Sequence, residues 1–139
     1  MQFYGVLPPE SRESPFARAL AILVVDDDAA VRTTLCRSLR RRGCRVTAAA
    51  DGDEGLAAVR SQPFDLVVTD VQMPGRDGVA LWRAATALRP ELRGRFLFCS
   101  AASLPGALAE AAATERFLAK PFDIEELWGA VRAAAGRPA

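Results

Sequence analysis

Five side chains in this sequence have the types needed to do chemistry together: Asp26, Asp27, Asp70, Ser100 and Lys120. Three are carboxylates, one is a hydroxyl, and one is the only lysine among eighteen basic residues. Carboxylates held about 4 Å apart repel by roughly 4 kcal/mol per pair at an effective dielectric near 20. A cluster of them needs protonation or a divalent cation, and an all-oxygen ligand set favours Mg2+ or Mn2+ over zinc. A cation and an ammonium beside a free carboxylate oxygen suit phosphoryl transfer, because both neutralise charge on the transferring oxygens. A hydroxyl such as Ser100 can donate a hydrogen bond to one of those oxygens. The Asp70 carboxylate is then the nucleophile and the product is an aspartyl phosphate. An otherwise all-arginine basic set that keeps one lysine also points to a position where a compact ammonium is wanted.

Taken singly, these residues say little. Asp26-Asp27-Asp28 suits a solvated turn in which Asp28 caps a helix, Met73-Pro74-Gly75 is a turn, and Cys99 and Trp82 read as core. Their positions along the chain join them. Ala21–Val25 is a continuous apolar run of the kind found in buried parallel strands, and it ends in the acidic triplet. A helix follows, with Val31, Leu35 and Leu39 on one stripe and Gly43 at its end. Cys44–Ala49 reads as a second strand and Asp53–Arg60 as a short helix. Asp65–Thr69 is a third strand running into Asp70, and Val71–Gly78 is a loop rich in Pro and Gly. Val79–Leu88 is helical, Arg95–Cys99 is a strand that ends at Ser100, and Leu104–Ala113 is an Ala-rich helix. Arg116–Ala119 is a strand ending at Lys120, and Asp123–Ala135 is a helix opened by Asp123 with Glu126 three residues on.

Five βα units in this order predict a three-layer α/β/α doubly wound domain with a parallel sheet. Ligands of such sheets sit beyond the carboxyl ends of the strands, where the strand order reverses. Four of the five predicted strand ends carry the candidate groups, and that coincidence carries the argument.

Composition removes other classes. The 139 residues suit one domain, half of them are hydrophobic, and the net charge is +1, so bulk charge gives no reason to expect nucleic-acid or membrane binding. Three cysteines without a C-x-x-C pair argue against a disulfide framework or zinc site. The absence of histidine excludes His-based catalysis. No apolar run is long enough to span a bilayer and no signal-peptide pattern is seen, so a cytoplasmic protein is expected. Residues 1–19, with three of the nine prolines and no period, read as a tail or linker, 20–135 as the domain, and 136–139 as a second tail.

Val-Val-Asp-Asp-Asp (24–28), Val-Val-Thr-Asp-Val-Gln-Met-Pro-Gly-Arg-Asp-Gly (67–78), Cys-Ser-Ala (99–101) and Phe-Leu-Ala-Lys-Pro-Phe (117–122) resemble the motifs of the response-regulator receiver domain of the chemotaxis-regulator-like superfamily. The resemblance covers roughly residues 20 to 135. It implies a flavodoxin-like five-stranded sheet of order 2-1-3-4-5. It implies Asp70 as phosphoacceptor, Asp26 and Asp27 as the acidic pair that holds Mg2+, and the backbone carbonyl of Gln72 as a further ligand. Ser100 resembles the switch hydroxyl, Lys120 the lysine that contacts the phosphoryl group, and Phe117 the switch aromatic. A cis Lys120–Pro121 bond is implied as well.

The implied donor is a phosphohistidine on a sensor histidine kinase or a histidine phosphotransfer protein, since this chain has no histidine of its own. The implied output is a protein-interaction surface for a downstream partner not named by the sequence. A monomer or weak dimer is expected, with no direct nucleic-acid contact; Arg40-Arg41-Arg42 reads as a solvated helix end. The chain also resembles receivers fused to hybrid sensor kinases, so a stand-alone regulator and a hybrid-kinase or phosphorelay segment both remain open. An aspartyl-nucleophile phosphatase is disfavoured because Gln72 stands where such enzymes usually carry a second acid. An interaction module that never takes phosphate is disfavoured by the intact set of five. Thr114-Glu115 departs from the Gly-Ala usual before the fifth strand, and Gln72 and Ala102 lie where the family tunes autodephosphorylation.

Overall fold

The computed structural model describes residues 19–100 and 108–135. The remaining segments lie outside it, and with them Ala101, Ala102, the start of the helix expected at Leu104–Ala113, and nearly all of both expected tails. Five parallel strands, β1 (Ala21–Val25), β2 (Arg45–Ala49), β3 (Leu66–Asp70), β4 (Phe96–Ser100) and β5 (Arg116–Ala119), form one sheet of order β2-β1-β3-β4-β5. The connections are α1 (Ala29–Arg41), α2 (Gly52–Ser61), α3 (Gly78–Leu88) and α4 (Ala109–Ala112), and α5 (Ile124–Ala135) closes the domain.

Strand alternation divides the core into two layers. Leu23, Val25, Val67, Phe96 and Phe98 face α2 and α3, where they meet Leu56, Val59, Leu81 and Trp82. Ile22, Val24, Leu66, Val68, Leu97 and Cys99 face α1 and α5, where they meet Leu35, Leu39, Leu127 and Val131. The central strands β1, β3 and β4 are buried on both faces, so their sequences read as unbroken apolar runs. The edge strands β2 and β5 are less buried, with their first and fourth residues exposed.

Every α-helix start except that of α4 is capped by a carboxylate. The Asp28 side chain accepts from the N–H groups of Ala30 and Val31 to open α1. Asp123 and Glu126 exchange hydrogen bonds at 2.8 and 2.9 Å, the capping box expected for α5. A second box was not anticipated: Asp51 accepts from Glu54 N–H and Glu54 accepts from Ala50 N–H, which starts α2 at Gly52. Two strands also begin and end one residue later than expected. Asp65 N–H donates to the Ala21 carbonyl and its side chain accepts from Ala21 N–H, which closes this residue on Ala21 ahead of the register, while Asp70 still pairs with Cys99. Arg95 N–H is turned back to Leu92 in the preceding turn, while Ser100 still pairs with Ala119.

The departure at Thr114-Glu115 has a structural role. The Glu115 carboxylate is buried and accepts from Gly94 N–H at 2.7 Å, Phe96 N–H at 2.8 Å and the Thr114 hydroxyl at 2.8 Å. It clamps the leading end of β5 to that of β4, where an alanine would offer no acceptor. Replacing Glu115 with Ala should lower unfolding free energy by about 2–3 kcal/mol, because buried donors lose their acceptor. Urea denaturation measures the loss, and Glu115→Gln, which keeps one acceptor oxygen, should recover part of it.

Candidate functional site

The chain leaves β1 outward to β2 and returns on the other side at β3, so a crevice opens beyond the carboxyl ends of β1 and β3. Asp26 and Asp27 follow the last residue of β1, and Asp70 is the last residue of β3. One carboxylate oxygen from each of these three lies within 4.8 Å of the others. Asp26 is 2% exposed, Asp70 is partly buried and Asp27 is exposed, so the cluster opens to solvent on the Asp27 side.

Lys120 enters from β5. Its N–H donates to the Ser100 carbonyl at 2.8 Å, which extends the β4–β5 ladder by one bond and carries the side chain over the crevice. The ammonium lies 3.3 Å from Asp70 Oδ2 and 3.6 Å from Asp26 Oδ2. The Lys120–Pro121 peptide bond is cis. Ser100 is 8% exposed at the end of β4, one residue beyond the register partner of Asp70. Beside Lys120, an apolar groove of about 620 Å³ runs between Ala30, Val31 and Thr34 of α1 and Pro121 and Phe122.

The loop after Asp70 folds tightly under the site. Val71 N–H donates to Cys99 and Gly78 N–H donates to Val71. A Cβ at Gly78 would stand 2.3 Å from the Asp70 carbonyl oxygen, so only glycine permits this closure. Gly52 meets the Arg76 carbonyl in the same way, which seats the loop against the start of α2, and Arg76 Nε bonds Asp53 there at 2.8 Å.

The electrostatics follow from burial and charge count. Burial pushes the Asp26 carboxyl above its ordinary range; the Asp28 N–H and Lys120 oppose this, while Asp70 and Asp27 add to it. Burial pulls the Lys120 ammonium down, but the Asp26 and Asp70 carboxylates outweigh it and leave it raised. The neighbouring Cys99 thiol is pushed up to about 12, chiefly by burial. Three carboxylates face one ammonium, so negative charge remains uncompensated. An open, all-oxygen, net-negative donor set fits a hard divalent cation such as Mg2+.

A family model described as the response regulator receiver domain matches residues 22–132. The chain belongs to the response regulator receiver family. Receivers are signalling domains rather than classical enzymes. The chain is 38% identical over 108 residues to the transcriptional activator protein PfeR of Pseudomonas aeruginosa, covering 76% of this chain and 34% of PfeR. It is 33% identical to the response regulator receiver protein CpdR of Brucella abortus, over 76% of this chain and 88% of CpdR. It is thus similar to about a third of the first relative and to most of the second. Among solved structures, chemotaxis protein CheY4 of Vibrio cholerae superposes with a TM-score of 0.77 at 28% identity, over 84% of this chain and 99% of that one. The receiver domain of a Pseudomonas aeruginosa sensor histidine kinase, solved with a magnesium ion coordinated in its active-site cleft, gives 0.75 at 28%, over 86% of this chain and all of that one.

Of the residues singled out in the sequence, the receiver fold brings Asp26, Asp27, Asp70 and Lys120 into one cluster and sets Ser100 at its rim. Gln72 lies exposed in the loop two residues after Asp70. Phe117 lies three residues before Lys120, half-buried and stacked on Phe98 at 5.2 Å between ring centroids. Sequence reasoning missed Arg32, whose Nη1 donates to the Asp26 carbonyl at 2.6 Å. Its only signal was an arginine in the first turns of the helix behind the acidic pair.

A carboxyl whose folded pKa is raised binds its proton more tightly in the native state. Asp26 therefore costs stability as pH climbs above its ordinary value of 3.8 and through the raised value. In cation-free buffer at pH 7, Asp26→Asn should unfold at higher urea than the parent. That gain should shrink as pH falls through the raised value and vanish below 3.8, where the carboxyl is protonated in both states; urea midpoints across pH measure it.

Proposed function

We propose that this receiver accepts a phosphoryl group on Asp70 from a phosphohistidine on a sensor histidine kinase or a histidine phosphotransfer protein. The observation that supports the reading is the Asp70 carboxylate lying together with those of Asp26 and Asp27 and 3.3 Å from the ammonium of Lys120. An Asp70 oxygen forms the new bond to phosphorus as the phosphorus–nitrogen bond to the donor imidazole breaks, and the imidazole takes up a proton. Lys120 neutralises charge on the phosphoryl oxygens, and Ser100 donates a hydrogen bond to one of them. Asp26, Asp27, Asp70 and the Gln72 carbonyl are the residues that would hold Mg2+ or Mn2+. Bound there, the cation supplies charge neutralisation at the transferring group. The reaction consumes the donor's phosphate and leaves a covalent product on the protein, so the domain assists its own modification without turning over a substrate.

Phosphorylation would draw Ser100 toward the phosphoryl group and release Phe117 from its stack on Phe98, altering the surface around α4, β5 and α5. That surface is the proposed contact for a downstream protein, in a monomer or weak dimer. Relatives include a transcriptional activator, but this chain spans only about a third of it, so a DNA output would reside in sequence beyond the receiver. Likeness to the receiver of a sensor histidine kinase favours a second reading, a hybrid-kinase or phosphorelay segment. Among the described residues no helix is long and apolar enough to cross a membrane. A cytoplasmic site of action and a receiver spanning 20–135 complete the proposal.

Incubation with Mg2+ and a small acyl-phosphate donor should add the mass of one phosphoryl group per chain. Asp70→Asn should add none, and omission of the cation should slow labelling at least tenfold. Intact-mass measurement decides it: an unmodified parent protein that also fails to bind Mg2+ would overturn the reading.

A further inference from the structure

The acidic pair is useful only if its turn is held in shape, and the strands alone do not hold it. Asp26 is the last residue tied to a neighbouring strand, through its N–H to Ala49 at 3.2 Å. Beyond it, the chain leaves the sheet toward Asp28, which caps α1. Asp26 Oδ1 accepts from Asp28 N–H at 2.9 Å, so one acidic side chain helps to close the turn. The main-chain carbonyl of Asp26 has a different partner: Arg32 Nη1, at 2.6 Å, reaching back from α1. Arg32 is itself anchored in the helix by its N–H to the Asp28 carbonyl at 2.9 Å.

Among the described residues Arg32 makes no ion pair, and its guanidinium bonds the main chain of the acidic turn. The guanidinium is used on a carbonyl and takes none of the carboxylate oxygens; those of Asp26 and Asp70 are met instead by Asp28 N–H and Lys120. This arrangement has two opposite consequences for a cation. The bond holds the peptide between Asp26 and Asp27 in the orientation that sends both carboxylates toward Asp70. The positive charge, in contrast, repels a cation. Geometry and Coulomb energy therefore pull the affinity in opposite directions, which makes their contributions separable.

We propose that Arg32 is a positioning residue of the acidic site: its bond to the Asp26 carbonyl holds the Asp26–Asp27 turn so that both carboxylates face the cation, without Arg32 itself taking a carboxylate oxygen. The proposal rests on the Mg2+-dependent phosphoacceptor reading. Arg32 touches neither the cation nor the phosphoryl group. It is expected to act on cation affinity and not on the transfer step itself.

The test compares the parent protein with Arg32→Met, which loses donor and charge, and Arg32→Gln, which loses the charge but keeps a donor. Mg2+ affinity is measured by calorimetric titration. The rate of labelling by a small acyl-phosphate donor is followed over a range of Mg2+ concentrations, with circular dichroism confirming the fold of each variant. For Arg32→Met, affinity should fall about tenfold, as is typical when a group supporting metal ligands is lost. The half-saturating Mg2+ concentration for labelling should rise by the same factor, and the rate at saturating Mg2+ should stay within about twofold. Arg32→Gln should bind Mg2+ at least half as well as the parent. If Arg32→Met binds Mg2+ as tightly as the parent or more tightly, charge alone operates and the positioning role is overturned. A fall in the saturated rate with unchanged affinity overturns it as well, as does an unfolded Arg32→Met accompanied by weak binding in a folded Arg32→Gln. Failure of the underlying reading looks different: the parent itself would neither bind Mg2+ nor take up phosphate.

Discussion

Mutual repulsion among Asp26, Asp27 and Asp70 is the constraint around which this receiver is organised. A folded chain left to minimise its electrostatic energy would separate the three carboxylates, yet one oxygen from each lies within 4.8 Å of the others. The elements that enforce this closeness are among the most deeply buried in the molecule. β1 and β3 are neighbours in register from Ile22 opposite Leu66 to Val25 opposite Thr69, and the acids stand at or just past their ends. Both strands are buried on two faces, so withdrawing either acid would disrupt packing against α1, α2, α3 and α5 together. Core burial holds in place a cluster that electrostatics opposes, and the site keeps a standing demand for positive charge.

Lys120 meets part of that demand and links the site to the far edge of the sheet. Its backbone continues the β4–β5 ladder through the Ser100 carbonyl, so ammonium and hydroxyl are carried by adjoining strand ends. The opposite end of the same strand pair is secured by Glu115, which takes two N–H groups at the leading edge of β4. Between these ends runs an aromatic row, Phe96 to Phe98 at 5.7 Å and Phe98 to Phe117 at 5.2 Å. A change at Ser100 is thus mechanically close to Phe117 and to the surface that Phe117 borders. A buried carboxylate thus ties together the leading ends of β4 and β5.

Much of the fold was legible in the residues. Apolar runs ending in Asp26, Asp70 and Ser100 marked the central strands, because a strand buried on both faces has no room for polar groups until it reaches its end. The caps at Asp28 and Asp123 were legible for the same local reason, a short acid followed by orphan N–H groups. The cap at Asp51 was not, since Asp53 and Glu54 compete for that role in sequence and only the fold of the preceding turn chooses. The one-residue shift of β3 depends on Asp65 meeting Ala21, far away in sequence, and that of β4 on the turn that takes Arg95 N–H back to Leu92.

By itself the sequence determined which chemical groups this protein owns, their order, and the strand ends at which they emerge: local polarity and periodicity decide these, and both are written in the chain. Tertiary structure decided how near the groups come and in what state. That Asp26 is buried and its carboxyl raised, that Lys120 reaches Asp70 and Asp26 together, and that Gly78 allows the loop to close against the Asp70 carbonyl are consequences of strands far apart in sequence lying side by side. Arg32 shows the difference most plainly. In the sequence it is one of seventeen arginines. In the fold, one turn of helix carries its guanidinium back to the Asp26 carbonyl, because the helix must begin where the acidic turn ends.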